Sequence, residues 1–184
     1  MEFVCFNFGI RGSRKILENM ENIMKNRIRR IILFFDTHTN TQPKMNHYLI
    51  RKLTDSDYEP YLHLINQFRP TTFTLEEYLN LLPKIQNCST IWVVEYNDKL
   101  IGTTTLLYEY KFIRNIVKLA HIEDVCIDQQ YRNQGIGQLL INHVVNEAEK
   151  ENCYKIILDC DEKLEYFYGK SGLEKHGIQM VKYF

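Results

Sequence analysis

The stretch HIEDVCIDQQYRNQGIGQLL, residues 121–140, begins with the pattern of a strand and ends with that of a helix. Its two halves are joined by RNQGIG, residues 132–137. A helix N-terminus has unpaired N–H groups and the positive end of the helix dipole. Gly135 and Gly137 would let the backbone approach an anion closely, so the amides of residues 134–138 are a candidate diphosphate site. An ordinary strand-to-helix turn explains the same two glycines, and a short glycine pattern alone does not decide.

Two familiar phosphate-binding motifs do not match this stretch. The dinucleotide motif G-x-G-x-x-G needs a third glycine, and Leu140 stands at that position. No acidic residue follows at the distance expected for a ribose contact. The nucleoside-triphosphate motif needs Gly-Lys followed by Ser or Thr, which is also missing here.

Short strands and helices are predicted on both sides of the stretch. Residues 97–99, Asn-Asp-Lys, are a hairpin signal, and Thr74 with Glu77 has the spacing of a capping box. Strands are predicted at residues 47–53, 90–96, 100–110, 119–128, 153–160 and 177–184, and helices at residues 55–68, 74–85, 135–152 and 164–172. This order predicts an α/β fold, a mixed sheet covered by helices.

The first 45 residues differ from the rest of the chain. Residues 1–44 hold eight basic and four acidic residues, and apolar residues recur at helical spacing between Ile16 and Ile31. The polar, proline-containing residues 36–46 are typical of a linker. We therefore divide the chain into a basic amphipathic extension with its linker, residues 1–45, and a main domain, residues 46–184. The extension could pack on the main domain, on a partner or on a membrane surface, or be a loosely docked terminus.

Composition excludes several classes of function. The chain of 184 residues is long enough for one domain with a substantial core. Residues 45–184 hold fifteen basic and nineteen acidic residues, a poor basis for binding nucleic acid. The apolar run IILFF is too short to cross a bilayer, and the start does not have the pattern of a signal peptide. Five cysteines without metal-type spacing predict a reduced, cytoplasmic protein with no metal.

Several motifs together resemble a known family. R-x-x-G-x-G after a strand ending in VCID resembles the acyl-CoA pyrophosphate loop of the GNAT N-acetyltransferases. YKFIRN (110–115), HIEDV (121–125) and CYKIILDCDEK (153–163) are similar to the glucosamine 6-phosphate N-acetyltransferases within that superfamily. The resemblance covers about residues 47–184. It implies the GNAT acyl-CoA N-acyltransferase fold, with a mixed, mostly antiparallel sheet flanked by helices.

The same resemblance implies an activity and a set of site residues. The activity is acetyl transfer from acetyl-CoA to the amine of glucosamine 6-phosphate, a step of UDP-N-acetylglucosamine biosynthesis. The resemblance also implies an intertwined homodimer, across which Asp159 of one copy reaches the sugar. The implied sugar-phosphate site consists of Lys111, Phe112, Ile113, Arg114, Glu123, Asp124 and Asp159. The implied acetyl-CoA site consists of Val125, Cys126, Ile127, Arg132, Asn133, Gln134, Gly135, Ile136, Gly137, Gln138 and Tyr168.

The chemistry of amine acetylation agrees with these implied roles. Glu123, Asp124 and Asp159 can hold the substrate ammonium group and relay its proton, directly or through water. A backbone N–H at Val125 or Cys126 would stabilise the oxyanion, and Tyr168 would donate to the leaving thiolate. The amine attacks directly, so no acyl-enzyme is needed. We interpret Cys126 and the nearby Cys160 as packing residues.

Some residues depart from the family pattern, and other functions remain open. Tyr183 occupies a position in the last predicted strand that is commonly basic in the family, and the adjacent Lys182 would face the other side of that strand. Leu164 replaces an Asn near CoA. Lys111 and Arg114 could also be a solvated pair, and Tyr168 could simply pack on the sheet. Alternative functions are a GNAT enzyme for another small amine or a protein, and a non-catalytic acetyl-CoA-binding module.

Overall fold

The computed structural model describes residues 48–184. The predicted extension and linker, residues 1–45, lie outside the described residues. Within the described part the strands are β1 (Leu49–Lys52), β2 (Ser89–Tyr96), β3 (Lys99–Lys111), β4 (Val117–Ile127) and β5 (Lys155–Ile157). The α-helices are α1 (Tyr58–Ile65), α2 (Leu75–Gln86), α3 (Ile136–Lys150) and α4 (Glu165–Gly169), with a short turn at Ile113–Ile116. Single 3-10 turns span Asp55–Asp57, Gln129–Tyr131 and Glu162–Leu164.

The five strands form one sheet in the order β1-β2-β3-β4-β5. Neighbouring strands are antiparallel except β4 and β5, which are parallel and connected through α3. The mixed, mostly antiparallel sheet expected from the sequence is therefore confirmed. Asn97 and Asp98 form the β2–β3 turn with φ values of 49° and 60°. Asn and Asp tolerate this left-handed conformation, which hairpin turns of this length require.

Each face of the sheet has its own apolar core. Helix α3 and Tyr168 of α4 cover one face, packing on β2, β3 and β4. Helices α1 and α2 cover the other face. The predicted capping box begins α2, because Glu77 N–H donates to Thr74 Oγ1 (3.2 Å) and Thr74 N–H donates to Glu77 Oε2 (2.7 Å).

Strand β4 changes face near its end because it contains a β-bulge. Glu123 pairs with Thr105 and Cys126 pairs with Thr103, so two residues of β4 lie opposite one residue of β3. Before the bulge, Ile122 belongs to the core under α3. After it, Cys126 belongs to the core under α1 and α2. One extra residue thus reverses the alternation of side chains.

The sequence pattern was wrong about the end of the chain. Residues 177–184 form no strand, and their apolar side chains are exposed, namely Ile178, Met180, Val181, Tyr183 and Phe184. A strand needs a neighbour to complete its hydrogen bonds, and the predicted strand at residues 153–160 forms only β5, three residues long. Gln179 Nε2 still donates to Asp159 Oδ2 at 2.7 Å, so the segment runs beside the end of β5.

Candidate active site

Strand β4 has an open edge where the site was expected. Strand β5 pairs only with Leu119–His121, so no strand within residues 48–184 pairs with the next part of β4 on that side. On the other side, Asp128 N–H donates to Ile101 O of β3 at 2.9 Å. Backbone groups alternate along an antiparallel strand, so Cys126 also faces β3, while the N–H and C=O groups of Val125 and Ile127 face the open side.

The bulge beside this edge is held in an unusual conformation. Asp124 has φ of 51°, which is rare for a residue other than glycine. Thr104 is fully buried opposite the bulge, and its hydroxyl donates to Glu123 O at 3.0 Å. A residue held in this region by its surroundings is typical of functional sites.

The structure brings the three predicted carboxylates together. Asp159 continues the direction of β5, which runs parallel to β4 beside His121. Partial burial of the Glu123 carboxyl group raises its pKa, the negative charges of Asp124 and Asp159 raise it further, and His121 opposes them. The raised pKa makes Glu123 a candidate to accept a proton from the substrate.

The glycine loop has the geometry of an uncapped helix start. Gly135 precedes α3 with φ of 82°, and no side chain caps the helix. A Cβ atom built on Gly135 meets no atom within 4 Å, so the loop borders open space. The first hydrogen bond of the turn is donated by Leu139 to Gly135 O at 3.0 Å, which leaves the preceding amides for a ligand. The backbone in this loop is suited to bind an anion.

The second glycine serves packing instead. A Cβ on Gly137 would lie 3.1 Å from Phe167 Cζ and 3.6 Å from Ile127 Cγ1. Gly137 thus lets α3, α4 and the end of β4 pack together. The sequence did not distinguish this requirement from close approach to a phosphate, because both need a residue without a side chain.

Three polar side chains predicted to bind acetyl-CoA make contacts within the loop region. Arg132 Nε donates to Ile127 O at 3.0 Å, and Gln134 Nε2 donates to Gln130 O at 3.0 Å. Gln138 Nε2 donates to Asn142 Oδ1 at 3.2 Å and contacts the Ser171 hydroxyl. Asn133 adopts φ of 62°, a further left-handed position before Gly135. These contacts fix the shape of the loop and leave its amides as the ligand groups.

Tyr168 lies on the same side of the sheet as α3, in the core beneath that helix. Its side chain is buried, and its ring meets that of Phe167 edge-on at 4.8 Å between centroids. Burial raises the pKa of Tyr168, and the nearby Cys160 adds to the effect. The phenol therefore stays protonated at neutral pH and can donate a hydrogen bond.

The remaining predicted residues lie elsewhere within the single chain. Lys111 pairs with Val117 at the far end of the β3–β4 hairpin, six residues along β4 from Glu123. At about 3.3 Å per residue that is about 20 Å. Lys111 Nζ contacts Glu109 Oε1 at 2.8 Å, and the Arg114 guanidinium lies 5.0 Å from the centre of the Tyr154 ring. Phe112 and Ile113 are exposed. One copy of the chain does not bring these residues to the carboxylates.

Sequence reasoning missed a partly buried tyrosine, Tyr61, near Asp124. Tyr61, on α1, packs against the core under α1 and α2. Burial and then the charge of Asp124 raise the pKa of Tyr61 to about 12. A single tyrosine in an amphipathic helix resembles any core residue, so only the three-dimensional contact identifies it.

The cysteines differ in their environments. Cys126 is buried as expected, its Sγ lies 3.5 Å from Leu64 O, and burial raises its pKa, so it is a packing residue. The packing role predicted for Cys160 is wrong, because Cys160 is exposed beside Asp159. Within residues 48–184, no group of three or more His, Cys, Asp or Glu side chains is placed to hold a metal ion. None of the helices described in this range is long and apolar enough to cross a membrane.

Comparison with known proteins identifies the same region. Residues 50–172 match the acetyltransferase (GNAT) family. Glucosamine 6-phosphate N-acetyltransferase of Arabidopsis thaliana is 34% identical over 142 residues, covering 73% of this chain and 95% of that protein. Glucosamine 6-phosphate N-acetyltransferase 1 of Dictyostelium discoideum is 34% identical over 139 residues, covering 72% of this chain and 88% of that protein.

Solved structures give the same result. The crystal structure of the Arabidopsis thaliana enzyme superposes with a TM-score of 0.71, covering 74% of this chain and 98% of that one. A Trypanosoma brucei acetyltransferase, 29% identical, superposes with a TM-score of 0.72, covering 74% of this chain and 99% of that one.

Proposed function

The chain belongs to the GNAT acetyltransferase family, and we propose that it transfers the acetyl group of acetyl-CoA to the amine of glucosamine 6-phosphate. The observation that carries the proposal is the open, bulged edge of β4, with three carboxylates at the bulge and an uncapped helix start just beyond it. The names of the relatives supply the substrate, since several are glucosamine 6-phosphate N-acetyltransferases.

The open edge and the glycine loop suit acetyl-CoA. The backbone groups of Val125 and Ile127 face the open side, where an amide-bearing pantetheine arm can pair with a strand edge. The amides from Asn133 to Gln138 would hold the pyrophosphate at the positive end of α3. Acetyl-CoA supplies the activated acetyl group, and the chain supplies binding and positioning.

The carboxylates act on the amine. An amino sugar is largely protonated at neutral pH, and only the neutral amine attacks a thioester. We assign Asp124 and Asp159 to hold the ammonium group and Glu123, whose pKa is raised, to accept its proton directly or through water. No covalent acyl-enzyme is required.

The backbone of the bulge and one phenol stabilise the charges that develop. The N–H group of Cys126 faces β3, so Val125 is the better candidate to donate to the oxyanion. Tyr168, which remains protonated, would donate to the departing thiolate of CoA.

We propose that the sugar phosphate is held with the help of a second copy of the chain. Lys111 and Arg114 lie about 20 Å along the hairpin from Glu123, too far to share a substrate within one copy. The hairpin tip and the C-terminal segment both expose apolar side chains, including Phe112, Ile116 and Met180. An intertwined homodimer would cover these surfaces and bring basic residues of one copy to the carboxylates of the other.

A cytoplasmic location agrees with this assignment. The four described cysteines are free, as expected in a reducing compartment. The proposed substrates, acetyl-CoA and a sugar phosphate, belong to the cell interior.

A substrate panel tests the proposal. CoA release should be measured with glucosamine 6-phosphate, glucosamine and a set of amine-bearing peptides. We expect a clear preference for the phosphorylated sugar, and Tyr168→Phe should lower kcat without preventing folding. Equal rates with glucosamine would exclude the phosphate preference. Acetyl-CoA binding without turnover on any amine would favour the non-catalytic alternative.

A further inference from the structure

The C-terminal end of helix α1 contacts the end of β4 at two points three residues apart. Leu64 O lies 3.5 Å from Cys126 Sγ. Gln67, two residues after the end of α1, reaches the first residues beyond β4. Positions i and i+3 lie on one face of a helix, so these contacts fix the end of α1 against the end of the strand.

The contact at Gln67 uses both atoms of its amide. Its Nε2 donates to Asp128 Oδ2 at 3.2 Å, and its Oε1 accepts from Gln129 N–H at 2.9 Å. The other oxygen of Asp128, Oδ1, accepts from Gln130 N–H at 2.8 Å and caps the 3-10 turn Gln129–Tyr131. Gln67 therefore fixes both the backbone and the capping side chain of this turn.

This turn sets the start of the glycine loop. Tyr131 N–H donates to Asp128 O at 2.9 Å, and Gln134 Nε2 donates to Gln130 O at 3.0 Å. A displacement of Asp128 or Gln130 would thus move the residues immediately before Gly135. Groups that orient a binding loop influence ligand affinity without touching the ligand.

We propose that Gln67 is a positioning residue for the acetyl-CoA loop. It acts through Asp128 and the turn Gln129–Tyr131 and does not touch the substrate amine. The inference rests on the proposed function, since the loop is taken to bind acetyl-CoA. No pattern in the sequence points to Gln67, because it is one polar residue after a short helix.

The test replaces the donor half of the amide. Gln67→Glu keeps the acceptor for Gln129 N–H but places a carboxylate against Asp128. We expect acetyl-CoA affinity, measured by calorimetry, to fall about tenfold, as for other residues that orient ligand-binding groups. The KM for acetyl-CoA should rise accordingly, while kcat and the KM for the amino sugar change by less than about twofold.

A second substitution should rescue the first. Asp128→Asn in the Gln67→Glu background restores a donor opposite Glu, and the Asn oxygen can still accept from Gln130 N–H. Asn66→Asp is the matched control, because within residues 48–184 the Asn66 side chain bonds Leu62 O and Thr71 N–H, both outside the turn. We expect recovery of affinity in the double variant and wild-type affinity in the control.

The outcomes separate the two proposals. Wild-type protein that does not bind acetyl-CoA would overturn the proposed function and this inference with it. Wild-type binding with no loss in Gln67→Glu, or no rescue by Asp128→Asn, would overturn the positioning role alone. If Gln67→Glu does not fold, Gln67→Ala removes both bonds without adding charge and gives the same comparison.

Discussion

At the residue scale, the two loop glycines are needed for different reasons. Gly135 has positive φ with open space around it, whereas Gly137 has tight contact with Phe167. An L-residue at φ near 80° is strained, while a methyl group at Gly137 must displace a ring. Substitution of Gly135, but not of Gly137, is therefore a direct test of the loop as a ligand site.

We predict that Gly135→Ala lowers acetyl-CoA affinity by more than its loss of folding stability explains. The strain of the left-handed conformation should reduce stability by roughly 1–2 kcal/mol. Relief of that strain would move the loop amides and lower affinity as well. Gly172→Ala is the matched control, because Gly172 has the same φ of 82° and also has nothing within 4 Å. Thermal unfolding and calorimetry should show similar stability losses in both variants but reduced affinity only in Gly135→Ala.

Glu123 gives a second prediction at this scale. Its pKa is raised, so the folded state holds the proton more tightly than the unfolded chain does. Stability is therefore lost as pH rises through the folded pKa. Glu123→Gln should be more stable than wild type above that pH and equal to it in acid, while kcat/KM falls about 100-fold or more. Thermal unfolding across pH checks the sign. A variant less stable than wild type at neutral pH would contradict the burial argument.

At the element scale, the strands and helices with strong local signals were predictable. The β2–β3 turn, the capping box of α2 and helix α3 follow from residue types at fixed spacing. The face reversal at Asp124 did not follow from side-chain alternation, because a bulge adds a residue without changing the pattern. The last predicted strand does not form. Its apolar pattern suits a strand, but a strand also needs a neighbour, and no partner strand for it is found within residues 48–184.

The predicted site residues also divide into those that the local sequence brings together and those whose position depends on the fold. Glu123, Asp124 and the glycine loop are neighbours in sequence, so the chain itself brings them close. Asp159 joins them because β5 runs parallel to β4. Lys111 and Arg114 are also near in sequence, yet a hairpin carries them to its far end. Tyr61 and Gln67 reach the site only through packing of α1, which no local pattern encodes.

The packing of α3 on β2 gives a prediction at the element scale. Trp92, the only tryptophan of the chain, meets the His143 ring edge-on with 4.4 Å between centroids. His143 Nε2 is buried, and no partner for it lies within the described residues. Burial lowers the pKa of His143 below its ordinary value of 6.5, with Glu147 opposing and Lys150 assisting. The imidazole is therefore neutral at pH 7.

Acid should disturb this contact before the rest of the fold. The unfolded chain protonates His143 more readily, so stability present above pH 6.5 is lost as pH falls through the lowered pKa. We expect Trp92 fluorescence to change with a midpoint below 6.5. His143→Phe keeps a ring against Trp92 and should remove that transition and its stability loss. A midpoint unchanged in His143→Phe would assign the transition to another group.

At the scale of the whole molecule, one copy of the chain separates the predicted site residues into two groups. The carboxylates and the acetyl-CoA loop lie at one end of the β3–β4 hairpin, and Lys111 with Arg114 lies at the other. Apolar side chains are exposed beside Arg114 and along the C-terminal segment. The proposed homodimer would account for both features, since a two-fold axis can place each group of residues against the other group of its partner.

Mixing two inactive variants tests whether the site is shared between copies. Arg114→Ala removes the basic half, and Glu123→Gln removes the carboxylate half. A mixed dimer holds one Arg114→Ala copy and one Glu123→Gln copy. Arg114 of the second copy meets Glu123 of the first, so one of the two sites is intact. Random pairing should restore about one quarter of wild-type kcat, because half of the dimers are mixed and each has one active site. The double variant Arg114→Ala/Glu123→Gln mixed with Arg114→Ala provides no intact site and should stay inactive. A mixture of the single variants that is also inactive would place both halves in one chain and refute the shared site.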